Sequence, residues 1–125
     1  MSRVDSNKPT IMVVEDDEDV REAISDLLRD HGFHVVCSEN GADALAQLRR
    51  TPRVRAILLD VMMPVMNGAT FRGEQLADPA ISDIPLVLLT GRQDSAPIAS
   101  MLGATACLQK PLSDDALLRV FEQFR

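Results

Sequence analysis

Residues 11–28, IMVVEDDEDVREAISDLL, hold two periods in succession. The four consecutive apolar residues Ile11–Val14 suit a strand covered on both faces, because a strand with one wet face would alternate instead. After an acidic turn, Val20, Ala23, Ile24, Leu27 and Leu28 recur at the spacing that forms one stripe of a helix, and Gly32 marks where that helix should stop. A strand feeding a helix is the unit from which the rest of the chain is read.

The unit repeats in pattern, though not in sequence. Phe33–Cys37, Ala56–Leu59, Leu86–Leu89 and a weaker Ala106–Leu108 predict four more strands. Ala44, Leu45 and Leu48 predict a second helix, and a third runs from about Ala69 to Leu76, ahead of Pro79. Ile98, Met101 and Leu102 mark a fourth, closed by Gly103 at a position that tolerates a left-handed backbone. Leu117, Val120, Phe121 and Phe124 mark the last, with Ser113 as N-cap and Asp114 and Asp115 in its first turn. The result is (βα)5. Each connection is long enough for a right-handed crossover, so the sheet should be parallel and doubly wound, with helices on both faces. Residues 1–10 read as a flexible polar arm and 11–125 as a single domain.

Composition removes several function classes. Four Phe and no Tyr or Trp are too few aromatics for a module that binds by stacking. Thirteen basic against nineteen acidic residues leave a net charge of −6, the wrong sign for holding a polyanion, so nucleic acid is not an expected partner. Cys37 and Cys107 fit no metal-finger or redox spacing, which suits a reducing compartment. No apolar run approaches the ~20 residues of a membrane helix, and residues 1–10 lack a signal peptide's apolar segment. The expectation is a soluble cytoplasmic protein without membrane contact.

The chemistry lies where the apolar runs stop. The first ends in Glu15-Asp16-Asp17, the third in Asp60, the fourth in Thr90 and the fifth in Gln109-Lys110-Pro111. Strand C-termini of a parallel sheet share one edge, which open α/β sheets use for binding. Carboxylates, a hydroxyl and an ammonium should therefore meet there. Clustered carboxyls repel unless a cation relieves them. Oxygen ligands without His or Cys select Mg2+ over zinc, and Mg2+ commonly bridges one or two carboxylates to a phosphate oxygen. Thr90 and Lys110 add a donor and a point charge for a phosphoryl group, with Asp60 as the nucleophile. A phosphatase passing through an aspartyl phosphate would use the same set plus an acid and base two residues after the nucleophile. Met62 stands there, which argues against fast turnover.

The segments IMVVEDDEDVREAI, AILLDVMMPVMNG, IPLVLLTGR and GATACLQKPL resemble, in order and spacing, the receiver domain of two-component response regulators, over about residues 10–125. The resemblance implies a flavodoxin-like sheet of strand order 2-1-3-4-5. It implies that Asp60 is the phosphoacceptor, that Asp16 binds Mg2+ directly with Glu15 linked through water, and that the Met62 backbone carbonyl completes the protein's share of the metal shell. Thr90 matches the switch hydroxyl and Lys110 the phosphate's salt-bridge partner. It implies a cis Lys110-Pro111 peptide, a small residue beside the phosphate at Gly91, and a third helix opened by Gly68. The partners implied are a histidine kinase or histidine phosphotransfer protein as donor, and a downstream protein reached through the surface of the fourth helix, fifth strand and fifth helix. Such a domain signals and is not an enzyme beyond slow self-catalysed gain and loss of the phosphoryl group. With nothing after Arg125 in the sequence, it would act alone through protein contacts or as part of a longer chain.

Two features depart from the family pattern. Cys107 stands where an aromatic usually completes the switch, and Thr90 and Lys110 are 20 positions apart, a shorter interval than usual. Both leave open an interaction module that needs no phosphorylation. Elsewhere the bland readings are preferred. Asp17 reads as a solvated first-turn residue, His31 and His34 as structural, and Cys37 as a small buried hydrophobe. Met62, Met63 and Met66 read as loop packing, and the Arg and Glu residues of the first two helices as a solvated face.

Overall fold

A computed structural model of the chain describes residues 8–61, 68–91 and 95–125. Five strands alternate with five helices: β1 (Thr10–Val14), α1 (Glu18–Asp30), β2 (His34–Ser38), α2 (Gly41–Arg50), β3 (Val54–Asp60), α3 (Gly68–Leu76), β4 (Leu86–Thr90), α4 (Ser95–Leu102), β5 (Ala106–Gln109) and α5 (Asp114–Phe121), with a short 3-10 turn over Glu122–Phe124. The strands form one sheet in the order β2-β1-β3-β4-β5, and every pairing is parallel. This is the flavodoxin-like doubly wound arrangement expected from the sequence.

Alternation of side chains along each strand divides the core into two layers. Met12 and Val14 of β1, with Ile57, Leu59, Leu86 and Leu88, pack under α2, α3 and α4. Ile11 and Val13, with Ala56, Leu58, Val87 and Leu89, pack under α1 and α5. The continuous apolar runs of β3 and β4 need cover on both faces and receive it. The edge strands differ: most of β2 and half of β5 are only half-buried, because one flank of each has no neighbour. β1 opens at Thr10, one residue ahead of the expected start, and the His34 N–H donates to the Pro9 carbonyl beside it.

The helix ends follow their local chemistry. Asp17 is the N-cap of α1, accepting from the amides of Asp19 and Val20, and not a residue of its first turn. The helix ends at Asp30, and Gly32 takes φ +92° just beyond it. Gly103 has φ +67° behind α4. Ser113 caps α5 through its hydroxyl, which accepts from Ala116 N at 3.0 Å. An N-cap hydroxyl contributes about 1 kcal/mol, so Ser113→Ala is expected to lower the unfolding free energy by about that much in denaturant melts.

Three sequence expectations need correction. Met101 does not belong to the buried stripe of α4: it is 76% exposed, and Leu102 beside it turns inward. Ala23 likewise sits at the exposed margin of the α1 stripe. Cys37 is half-buried and polar in its contacts, with its sulfur 3.0 Å from the hydroxyl of buried Ser25. His31 is structural as expected, capping the end of α1 with Nδ1 2.9 Å from the Leu27 carbonyl.

Candidate functional site

The C-terminal strand edge gathers the expected groups. β1 ends at Val14, so Glu15 is the first residue past the sheet, and its N–H extends the ladder to the Ser38 carbonyl at 3.0 Å. Asp60 closes β3 and registers opposite Leu89, which puts Thr90 one step further along β4. The Lys110 N–H donates to the Thr90 carbonyl at 2.8 Å, bringing the end of β5 to the same edge. Glu15, Asp60 and Thr90 are buried while Asp16 is exposed. Behind Asp60, the Gly68 N–H donates to the Val61 carbonyl at 3.2 Å, and a Cβ on Gly68 would lie in ordinary contact, 3.4 Å, with the Val61 backbone.

One carboxylate oxygen each of Glu15, Asp16 and Asp60 lies within 4.8 Å of the other two. Lys110 Nζ stands 3.0 Å from Glu15 Oε2 and 3.4 Å from Asp60 Oδ2. One ammonium thus faces two buried carboxylates, which leaves negative charge in excess. The approach to Glu15 Oε2 is an ion-pair distance without hydrogen-bond geometry, and that buried oxygen has no hydrogen-bond donor. Burial pushes the Glu15 carboxyl up to about 7 and the neighbouring Asp60 pushes in the same direction, against the Asp17 amide and Lys110. Burial works against the Lys110 charge, yet Glu15 and Asp60 outweigh it and hold the lysine above its usual value. The Lys110-Pro111 peptide is cis, as the resemblance implies.

A buried, donorless oxygen inside a cluster of hard carboxylates is what a divalent cation with oxygen preference would satisfy. The residues present fit Mg2+. The Met62 carbonyl, assigned by resemblance to the same shell, lies outside the described residues. Gly91 is exposed, and a Cβ there would meet nothing within 4 Å. Cys107 is half-buried and packs against the layer under α4.

The model of the response regulator receiver domain matches residues 11–122, the span that carries all of these groups. The chain belongs to the response regulator receiver family. A transcriptional regulatory protein CpxR homolog of Haemophilus influenzae is 36% identical over 111 residues, 86% of this chain and 46% of that protein, so the receiver spans about half its relative's length. Among solved structures, the chemotaxis response regulator CheY4 of Vibrio cholerae superposes with a TM-score of 0.86 at 27% identity, covering 95% of this receiver and all of that chain. The receiver domain of the sensor histidine kinase PA1611 from Pseudomonas aeruginosa, solved with a magnesium ion coordinated in its active-site cleft, superposes at 0.84 with 27% identity over 94% and 97% of the two chains. No helix of the described residues is long and apolar enough to cross a membrane.

Two supports of this receiver were missed in the sequence. Arg21 of α1 donates from Nη1 to the Glu15 carbonyl at 2.7 Å. Buried Gln75 of α3 donates to the carbonyls of Ile81 and Ile84 at 2.9 and 3.0 Å and accepts from Arg72, whose guanidinium also donates to the Leu102 and Gly103 carbonyls at the end of α4. Gln75 left a trace in the sequence, since it stands four residues after buried Phe71 on the same helical face. Arg21 left none.

Proposed function

We propose that this receiver accepts a phosphoryl group on Asp60 from a phosphohistidine in a Mg2+-dependent step, and passes the change to a downstream protein. The observation that carries the reading is the buried Glu15 and Asp60 pair with excess negative charge, held against Lys110 at the switch edge of the sheet. Glu15, Asp16 and Asp60 would hold the metal, which when bound offsets the charge of the incoming phosphoryl oxygens. A carboxylate oxygen of Asp60 attacks phosphorus as the bond from phosphorus to the donor nitrogen breaks. The imidazole, already protonated on its other ring nitrogen, takes that electron pair and leaves as the neutral base. Lys110, held close to Asp60, would shift its charge onto a phosphoryl oxygen, and Thr90 would donate its hydroxyl to another. Those contacts favour one of two arrangements of α4 and β5, which changes the surface offered to a partner. The donor is a histidine kinase or phosphotransfer protein, and the site of action is the cytoplasm.

The test is intact mass after incubation with acetyl phosphate. With Mg2+ the protein is expected to gain one phosphoryl group, removable by hydroxylamine as an acyl phosphate must be. Gain that persists in a chelator, or that resists hydroxylamine, would rule the reading out.

A further inference from the structure

We infer that Arg21 is a positioning residue for the metal-binding carboxylates, acting on the peptide that joins Glu15 to Asp16. The inference rests on the proposed assignment of those two residues to Mg2+. Arg21 lies in the early part of α1, where composition alone suggests a solvated face. Its side chain turns back six positions instead, and Nη1 donates to the Glu15 carbonyl at 2.7 Å. A peptide is planar, so holding that carbonyl fixes the plane that leads into Asp16. The next peptide is held from its other side: the Asp17 N–H donates to Glu15 Oε1 at 3.1 Å. Both peptides flanking Asp16 are therefore pinned, one by Arg21 and one by Glu15 itself.

The frame around this turn is rigid. The Glu15 N–H is tied to the Ser38 carbonyl, Asp17 caps α1, and the Arg21 N–H donates to the Asp17 carbonyl at 2.9 Å. Arg21 thus sits at the end of a closed circuit running from strand end to cap to helix and back. Its choice of partner matters chemically. Lys110 lies against carboxylate oxygens that a metal would use, whereas Arg21 brings positive charge to the cluster through a main-chain oxygen and leaves the carboxylates to the ion. Groups that orient metal ligands from behind typically change affinity by 10–100-fold when removed.

Three proteins decide the matter: wild type, Arg21→Ala and Arg21→Lys, each checked for unchanged far-UV circular dichroism. Mg2+ binding is followed by titration calorimetry, and Mn2+ binding by the loss of the free-ion paramagnetic resonance signal. Arg21→Ala is expected to bind both ions about tenfold more weakly, and Arg21→Lys, whose ammonium can reach the same carbonyl, to recover part of the loss. With acetyl phosphate, the Mg2+ concentration for half-maximal phosphorylation should rise by a similar factor while the rate at saturating Mg2+ stays near wild type. Unchanged ion affinity in Arg21→Ala would overturn the inference. So would a lower saturating rate at unchanged Mg2+ dependence, which would put Arg21 in donor binding. Wild type that binds neither ion overturns the metal assignment itself and this inference with it.

Discussion

Asp60→Asn is expected to gain no phosphoryl group from acetyl phosphate and Mg2+ under conditions in which wild type gains one, and to fold at least as stably. The first half follows from chemistry, because an amide lacks the anionic oxygen that attacks phosphorus. Among the described residues, the other carboxylates of the cluster are Glu15 and Asp16. Buried Glu15 faces Lys110, and Asp16 is held by the turn around it. The second half follows from electrostatics. Asp60 is one of the groups that push Glu15 up, so removing its charge lets the Glu15 carboxyl ionise more readily against Lys110, which keeps its closer partner at 3.0 Å. Sites built for charged ligands commonly carry such a stability cost. Equal mass gain in wild type and variant would reject Asp60 as acceptor, and a variant that melts well below wild type would reject the electrostatic account.

Glu15→Gln is expected to remove the pH dependence that Glu15 gives the chelated protein. In the folded state the Glu15 carboxyl ionises near 7, against 4.5 for its model value. Between those values the native state holds a proton that the unfolded chain has released, so stability is full below about 4.5 and declines as pH rises through 7. Glutamine is neutral throughout and removes that slope. In a chelator at pH 8 the variant should be the more stable protein, by on the order of 3 kcal/mol at most. Near pH 4.5 the difference should vanish. Added Mg2+ should reverse the ranking at pH 8, since it stabilises only the protein that binds it. Urea melts at pH 5, 6, 7 and 8, with chelator and with Mg2+, read these differences directly. Parallel stability profiles for the two proteins in chelator would show that Glu15 carries no such strain.

What could be read in the sequence divides along a physical line. Strands β1, β3 and β4 announce themselves because burial on both faces demands unbroken apolar runs, and the polar residue that ends each run then falls at a shared edge. Four letters at four strand ends therefore located Glu15, Asp60, Thr90 and Lys110. Local capping was legible for the same reason, since Ser113 and Gly103 act on backbone within a few residues. Long-range hydrogen bonds were not. Arg21 looks like an ordinary helix surface residue until the turn before α1 meets it, and the face that Gln75 shares with Phe71 signals its burial but not its partners in the loop before β4. Asp17 was misplaced by one position because cap and first turn accept the same acidic residues. Met101 was misread because an eight-residue helix offers too few turns to separate stripe from margin.

The two core layers share a sheet and no side chains, since alternate residues of one strand serve opposite sides. Substitutions on opposite sides without common partners combine nearly additively. The outer surfaces of α1 and α5 can therefore drift independently of those of α2, α3 and α4. A duplicated gene with this architecture could alter recognition on one side while conserving it on the other.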